Sequence, residues 1–80
     1  MEACAVVAVR IGRRSESAPK VQEVLTRHGC IIMARMGIHE LSCQEEGLVV
    51  LVVCGTEAER AALLDELRVV PSVTVRAMEL

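Results

Sequence analysis

The sequence predicts an α+β fold: an antiparallel four-stranded sheet of order 4-1-3-2 with two helices on one face. Three observations carry this. Gly47 to Gly55 encloses seven apolar residues, four of them valine, between two glycines. Cys4 to Ile11 is a second run, apolar except for Arg10 near its end. Each run is followed by apolar residues at helical spacing and then by another strand-like stretch, so the order reads β-α-β-β-α-β. Right-handed crossovers then place both helices on the same face and make the two most apolar strands the central pair, a ferredoxin-like split βαβ arrangement.

The Gly47–Gly55 stretch is too short for a buried helix, and β-branched valines suit a pleated surface. A half-buried strand would alternate apolar and polar residues. No polar side chain interrupts Leu48 to Cys54, so both faces of the sheet are expected to be covered. Helices supply one cover. A second copy of the chain is expected to supply the other, giving a homodimer or higher homo-oligomer.

After the first strand, Gly12-Arg13-Arg14-Ser15-Glu16 breaks the pattern, and Ser17 with Pro19 behind it reads as a helix start. Ala18, Val21, Val24, Leu25 and His28 form the apolar stripe of that helix, leaving Lys20, Gln22, Glu23 and Arg27 to solvent. Gly29 is expected to end it in a left-handed cap. Cys30 to Ile38 reads as the next strand, with Gly37 inviting a bulge or a close backbone approach. The polar stretch His39 to Glu46 is then a hairpin connection. Thr56-Glu57-Ala58-Glu59 has the form of a capping box that opens a second helix, with Leu63, Leu64 and Leu67 buried and a stop before Pro71. Val73 to Leu80, carrying Thr74, Arg76 and Glu79, reads as an edge strand.

Composition narrows the function classes. Eighty residues make one small domain, 1–80. Folding at that size buries only about two-thirds of the chain's surface, so oligomerisation would help. The chain has no Phe, Tyr or Trp and a net charge of -2, which argues against direct nucleic-acid binding, where stacking platforms and a positive groove are needed. The longest apolar run falls short of the ~18 residues of a membrane span, and no secretion signal opens the chain, so a cytoplasmic protein with no membrane partner is expected. Four cysteines in that setting are expected to remain thiols. No Ser/His/Asp or Cys/His arrangement suggests nucleophilic catalysis, and the run Glu40, Glu45, Glu46 reads as a solvated surface. The expectation is no enzyme, no catalytic residue and no cofactor.

Two places could carry chemistry. The loop Gly12-Arg13-Arg14-Ser15 precedes a helix N-terminus, where free amides, the helix dipole and two arginines favour an anion; the alternative is a solvated turn. Cys4, Cys30 and Cys54 are expected at one end of the sheet, with His28 just before Cys30. That set could bind a soft metal or sense redox change, whereas the bland alternative is that each cysteine packs as a small hydrophobe. His39 with Cys43 is a weaker candidate pair for a metal.

Nearly the whole chain resembles a family of short, stand-alone ACT-like proteins described as iron-only hydrogenase system regulators. The resemblance rests on I-I-M-A-R-M-G-I (Ile31 to Ile38), G-L-V-V-L-V-V-C-G (Gly47 to Gly55) and the closing L-x3-P-x-V-x-V pattern (Leu67, Pro71, Val73, Val75). Arg35-Met36-Gly37 is the most telling step. Members often place proline where this chain has His39. None of these motifs is catalytic. The resemblance implies an ACT-like regulatory or sensing module that binds a small effector near a subunit interface. The positions it marks are Gly12, Arg13, Arg14, Ser15, Arg35 and Gly37.

Overall fold

The computed structural model describes residues 3–38 and 46–80. Strand β1 (Ala3–Ile11) leads into helix α1 (Arg14–Arg27), a 3-10 turn (Gly29–Ile31) and strand β2 (Ile32–Ile38); β3 (Gly47–Gly55), α2 (Glu57–Arg68) and β4 (Val73–Glu79) follow. The sheet order is β2-β3-β1-β4, with every neighbouring pair antiparallel. This is the expected βαββαβ arrangement, with β1 and β3 central and β4 on an edge.

Strand parity divides the sheet. In β3, Val49, Leu51 and Val53 are buried, while Leu48, Val50, Val52 and Cys54 are half-buried. The same alternation in β1 buries Ala5, Val7, Val9 and Ile11. These side chains meet Val21, Val24 and Leu25 of α1 and Leu63 and Leu67 of α2 in one core built without a single aromatic ring. Among the described residues, the opposite face of the sheet carries no helix.

Helix α2 opens as the sequence predicts. The Glu59 amide donates to Thr56 Oγ1 at 3.1 Å and the Thr56 amide donates to Glu59 Oε1 at 2.9 Å, which satisfies two of the amides a helix start leaves without partners. Helix α1 differs. It starts at Arg14, three residues ahead of Ser17, and Pro19 lies inside it. Ser17 is not its cap: the side chain is buried and its hydroxyl donates to the Pro71 carbonyl oxygen at 2.6 Å. A buried hydroxyl needs such a partner, and only the folded chain brings the α2–β4 turn beside α1. The same turn holds Ser72 at φ 62°, and its carbonyl oxygen accepts from the Gly12 amide at 2.7 Å. A Cβ on Gly12 would lie 3.2 Å from that oxygen, which accounts for glycine at the end of β1.

Three local expectations are corrected at the β2 side. Gly29 does not cap α1 in a left-handed conformation; no described glycine has positive φ, and His28 ends the helix at φ -105° as the chain tightens into the 3-10 turn. Cys30 consequently lies in that turn, outside β2. The irregularity in β2 falls between Ile32 and Ala34, whereas Gly37 faces Val49 in regular register. The hairpin connection, apart from Glu46, lies outside the described residues.

Candidate functional site

Helix α1 and the edge strand β2 meet over a cleft of about 60 Å³, with Arg14, Gln22, Gly37, Ile38 and Leu48 among its lining residues. The aliphatic part of Arg14 lies across Gly47, where an added Cβ would stand 3.5 Å from Arg14 Cδ. Arg35 projects from β2 and donates a hydrogen bond to Gln22 Oε1. Two of the sequence-marked residues, Arg14 and Gly37, thus line one cleft, and Gln22 links Arg35 to it. The others diverge. Arg13 is the N-cap residue, exposed, with Glu16 at 3.8 Å. Ser15 is exposed in the first helical turn, and Gly12 faces the Ser72 turn. Chemically the cleft offers a cation above an apolar floor, and its volume suits an anionic group of a few atoms. Gln22 is exposed, as its place off the apolar stripe predicts, and its part in the cleft has no periodic signal in the sequence.

The open sheet face is the larger feature. Register places Ala34, Met36 and Ile38 of β2 beside Val52, Val50 and Leu48 of β3, then Val6, Ala8 and Arg10 of β1, then Met78, Arg76 and Thr74 of β4. The side chains are apolar over most of this surface. Of the two arginines, Arg10 is paired with Glu46 at 3.1 Å and Arg76 donates to the Val75 carbonyl oxygen. Met36 and Met78, at 58% and 61% exposure, stand on its two sides.

On the helical face, a groove of about 280 Å³ runs between α1 and the end of α2, over Val24, Val70 and Pro71. Its polar wall includes Glu23, Arg27 and Glu66, which with His28 behind them form a four-residue network. Glu66 accepts from Arg27 Nη2 at 2.6 Å and lies 2.7 Å from His28 Nε2. Arg27 first, then His28, hold the Glu66 carboxyl below its usual range. Half-buried, His28 contributes to the apolar stripe as its spacing predicts, while its ring nitrogen is committed to α2.

The cysteine set is corrected. Cys4 and Cys54 face one another in the β1–β3 register and are joined by a disulfide, so they are not the free thiols expected from composition. Sequence-based reasoning about redox compartment says nothing of two cysteines that strand pairing sets directly opposite. Both do stand at one end of the sheet, as the topology implies. Cys30, the remaining described cysteine, is exposed in its 3-10 turn, and His28 bonds Glu66. Cys4, His28, Cys30 and Cys54 therefore do not assemble as metal ligands. Among the described residues no three of His, Cys, Asp and Glu do. His39 and Cys43 lie outside those residues.

A four-stranded antiparallel sheet in this order, with two helices on one face, defines an ACT-like, ferredoxin-like protein. The chain belongs to the TM1266-like family, described as "Iron-only hydrogenase system regulator, putative", whose model matches residues 3–77. Among solved structures it is similar to the uncharacterized protein TM1266 from Thermotoga maritima, with TM-score 0.92 and 19% identity over 100% of this chain and 99% of that one. The ACT domain from the GTP pyrophosphokinase of Chlorobium tepidum matches with TM-score 0.74 and 14% identity, over 98% and 100%. A nitrogen regulatory PII-like protein, CPII from Thiomonas intermedia K12 in its apo form, matches with TM-score 0.53 and 14% identity, over 100% and 92%. At these identities the structural likeness is one of fold. No curated protein matches the sequence. No helix among the described residues is long and apolar enough to cross a membrane.

Proposed function

We propose that this chain is a non-enzymatic regulatory module of the iron-only hydrogenase system that works in the cytoplasm as a homo-oligomer and responds to a small anionic effector. One observation carries the reading: the sheet face opposite the helices is apolar over most of its surface, and Arg10, one of its two cations, is already neutralised by Glu46. A patch of that kind favours association over exposure to water. A second copy is the partner of matching chemistry, since an apolar surface is complementary to itself about a two-fold axis. The effector would enter at the cleft beside Arg14, with Gly37 at its rim and Arg35 joined to it through Gln22. Family membership supports the regulatory role and the hydrogenase context. The folds shared with an ACT domain and a PII-like regulator support effector binding.

The test is a thermal-shift panel of amino acids, nucleotides and small carboxylates on the purified protein, repeated with Arg14→Gln. A ligand present at 100 times its Kd adds about 2.7 kcal/mol to the folded state, a clear rise in Tm. The expected result is a rise with one anionic class that Arg14→Gln abolishes. A rise that survives Arg14→Gln would move the site elsewhere, and no rise with any anion would remove the effector from the reading.

A further inference from the structure

We propose that Cys4 and Cys54 form a reversible thiol–disulfide exchange couple whose reaction partner is a dithiol reductant in one direction and a disulfide oxidant in the other. The two residues are directly opposed at one end of the central strand pair, their Cα atoms 4.1 Å apart. That opposition is imposed by the sheet. Nine facing pairs join β1 to β3, and β1 is also held by β4, where the Leu80 amide donates to the Cys4 carbonyl oxygen at 2.9 Å. After reduction the two thiols would still stand side by side, ready to close again. The core of valine, leucine and isoleucine lies on the other face, so neither oxidation state is required for the chain to fold.

The couple is also reachable. Both cysteines are half-buried on the helix-free face. The last facing pair between β2 and β3 is Ile32 with Val53, so Cys54 stands one residue beyond the flanking strand. Disulfides that are accessible in this way are the exchangeable ones, whereas those sealed in a core resist attack.

The exchange balances without further components. A thiolate of the reductant attacks one of the two sulfurs, breaking the Cys4–Cys54 bond and releasing the other cysteine as thiolate. The reductant's second thiol then attacks the mixed disulfide and leaves as the oxidised reductant. Two electrons and two protons pass from its thiols to Cys4 and Cys54. Oxidation runs the same steps in reverse with a disulfide reagent. The chemistry does not involve the effector, and it requires of a second copy docked on the helix-free face only that it leave this end of the strand pair open.

The test uses the full chain under native conditions, equilibrated with glutathione disulfide or with dithiothreitol, then denatured, alkylated and weighed. The oxidised protein should take two labels, on Cys30 and Cys43, and the reduced protein four, with unchanged far-UV circular dichroism and a return to two on reoxidation. Peptide mapping should show the oxidised linkage as Cys4–Cys54. The double variant Cys4→Ser/Cys54→Ser should take two labels in both conditions. Four labels after glutathione disulfide, a different linkage, or a bond that opens only in denaturant would each overturn the proposal. So would a reduced protein that loses its circular dichroism, since the bond would then be a structural staple.

Discussion

Replacing Val50 by Asp probes the open face at its centre. Val50 is flanked across the sheet by Ala8 of β1 and Met36 of β2, and it is half-buried before anything docks on it. Sealing the remainder of such a side chain is worth about 1 kcal/mol per copy, and an unpaired carboxylate held in an apolar interface costs about 2 kcal/mol more. About a two-fold axis each effect counts twice. The total is on the order of 6 kcal/mol, roughly a 10⁴-fold weaker association. Within a single copy the new carboxylate remains in water, so the fold should lose only about 1 kcal/mol. Sedimentation velocity at micromolar concentration, with a thermal melt alongside, separates these effects. The expected outcome is an oligomeric parent and a folded, monomeric Val50→Asp. A monomeric parent, or a variant that sediments with the parent while still folded, would refute the reasoning.

Four further outcomes follow from the packing. Leu51→Ala, on the opposite side of the same strand and fully buried, should cost about 2–5 kcal/mol in denaturant unfolding whatever the oligomeric state. Thr56→Ala removes the reciprocal cap of α2 and should cost about 1 kcal/mol, read as a Tm lower by about 4–8 °C. Gly55→Ala should destabilise by about 1–3 kcal/mol, because its Cβ would sit 2.9 Å from Ile31 Cγ2, while Gly37→Ala meets nothing within 4 Å and should leave Tm nearly unchanged. Acid should weaken the fold through Glu59 and Glu66. Glu59 is lowered chiefly by the Thr56 amide and Glu66 chiefly by Arg27, so the folded state holds each proton less tightly than the unfolded chain does. Their contribution is complete above the ordinary carboxylate value of 4.5 and disappears as pH falls through the lower folded values. Tm measured from pH 6 downward should drop in that window, and Glu66→Gln should flatten the drop.

Much of the architecture is legible in the residues themselves, because its causes are local. Seven uninterrupted apolar residues between glycines make β3 a strand with two faces to cover, and Thr56 with Glu59 marks the start of α2 within one turn of chain. Apolar spacing of 3.6 and element order then leave few ways to arrange the sheet. The corrections share a different cause. Ser17 is paired with Pro71, 54 positions away, and this contact makes it a buried donor rather than a cap. His28 meets Glu66 and Arg35 meets Gln22 only after both crossovers have packed their helices against the sheet. Cys4 and Cys54, 50 positions apart, become bonding partners because the antiparallel register of β1 with β3 sets them opposite, and a shift of one residue would have sent their side chains to different faces. Periodicity and capping act within a few residues, so the sequence by itself determined the elements, their order and the apolar character of both sheet faces. Register and helix docking act between distant segments, so only the tertiary structure decided which side chains meet at the cleft, the groove and the disulfide.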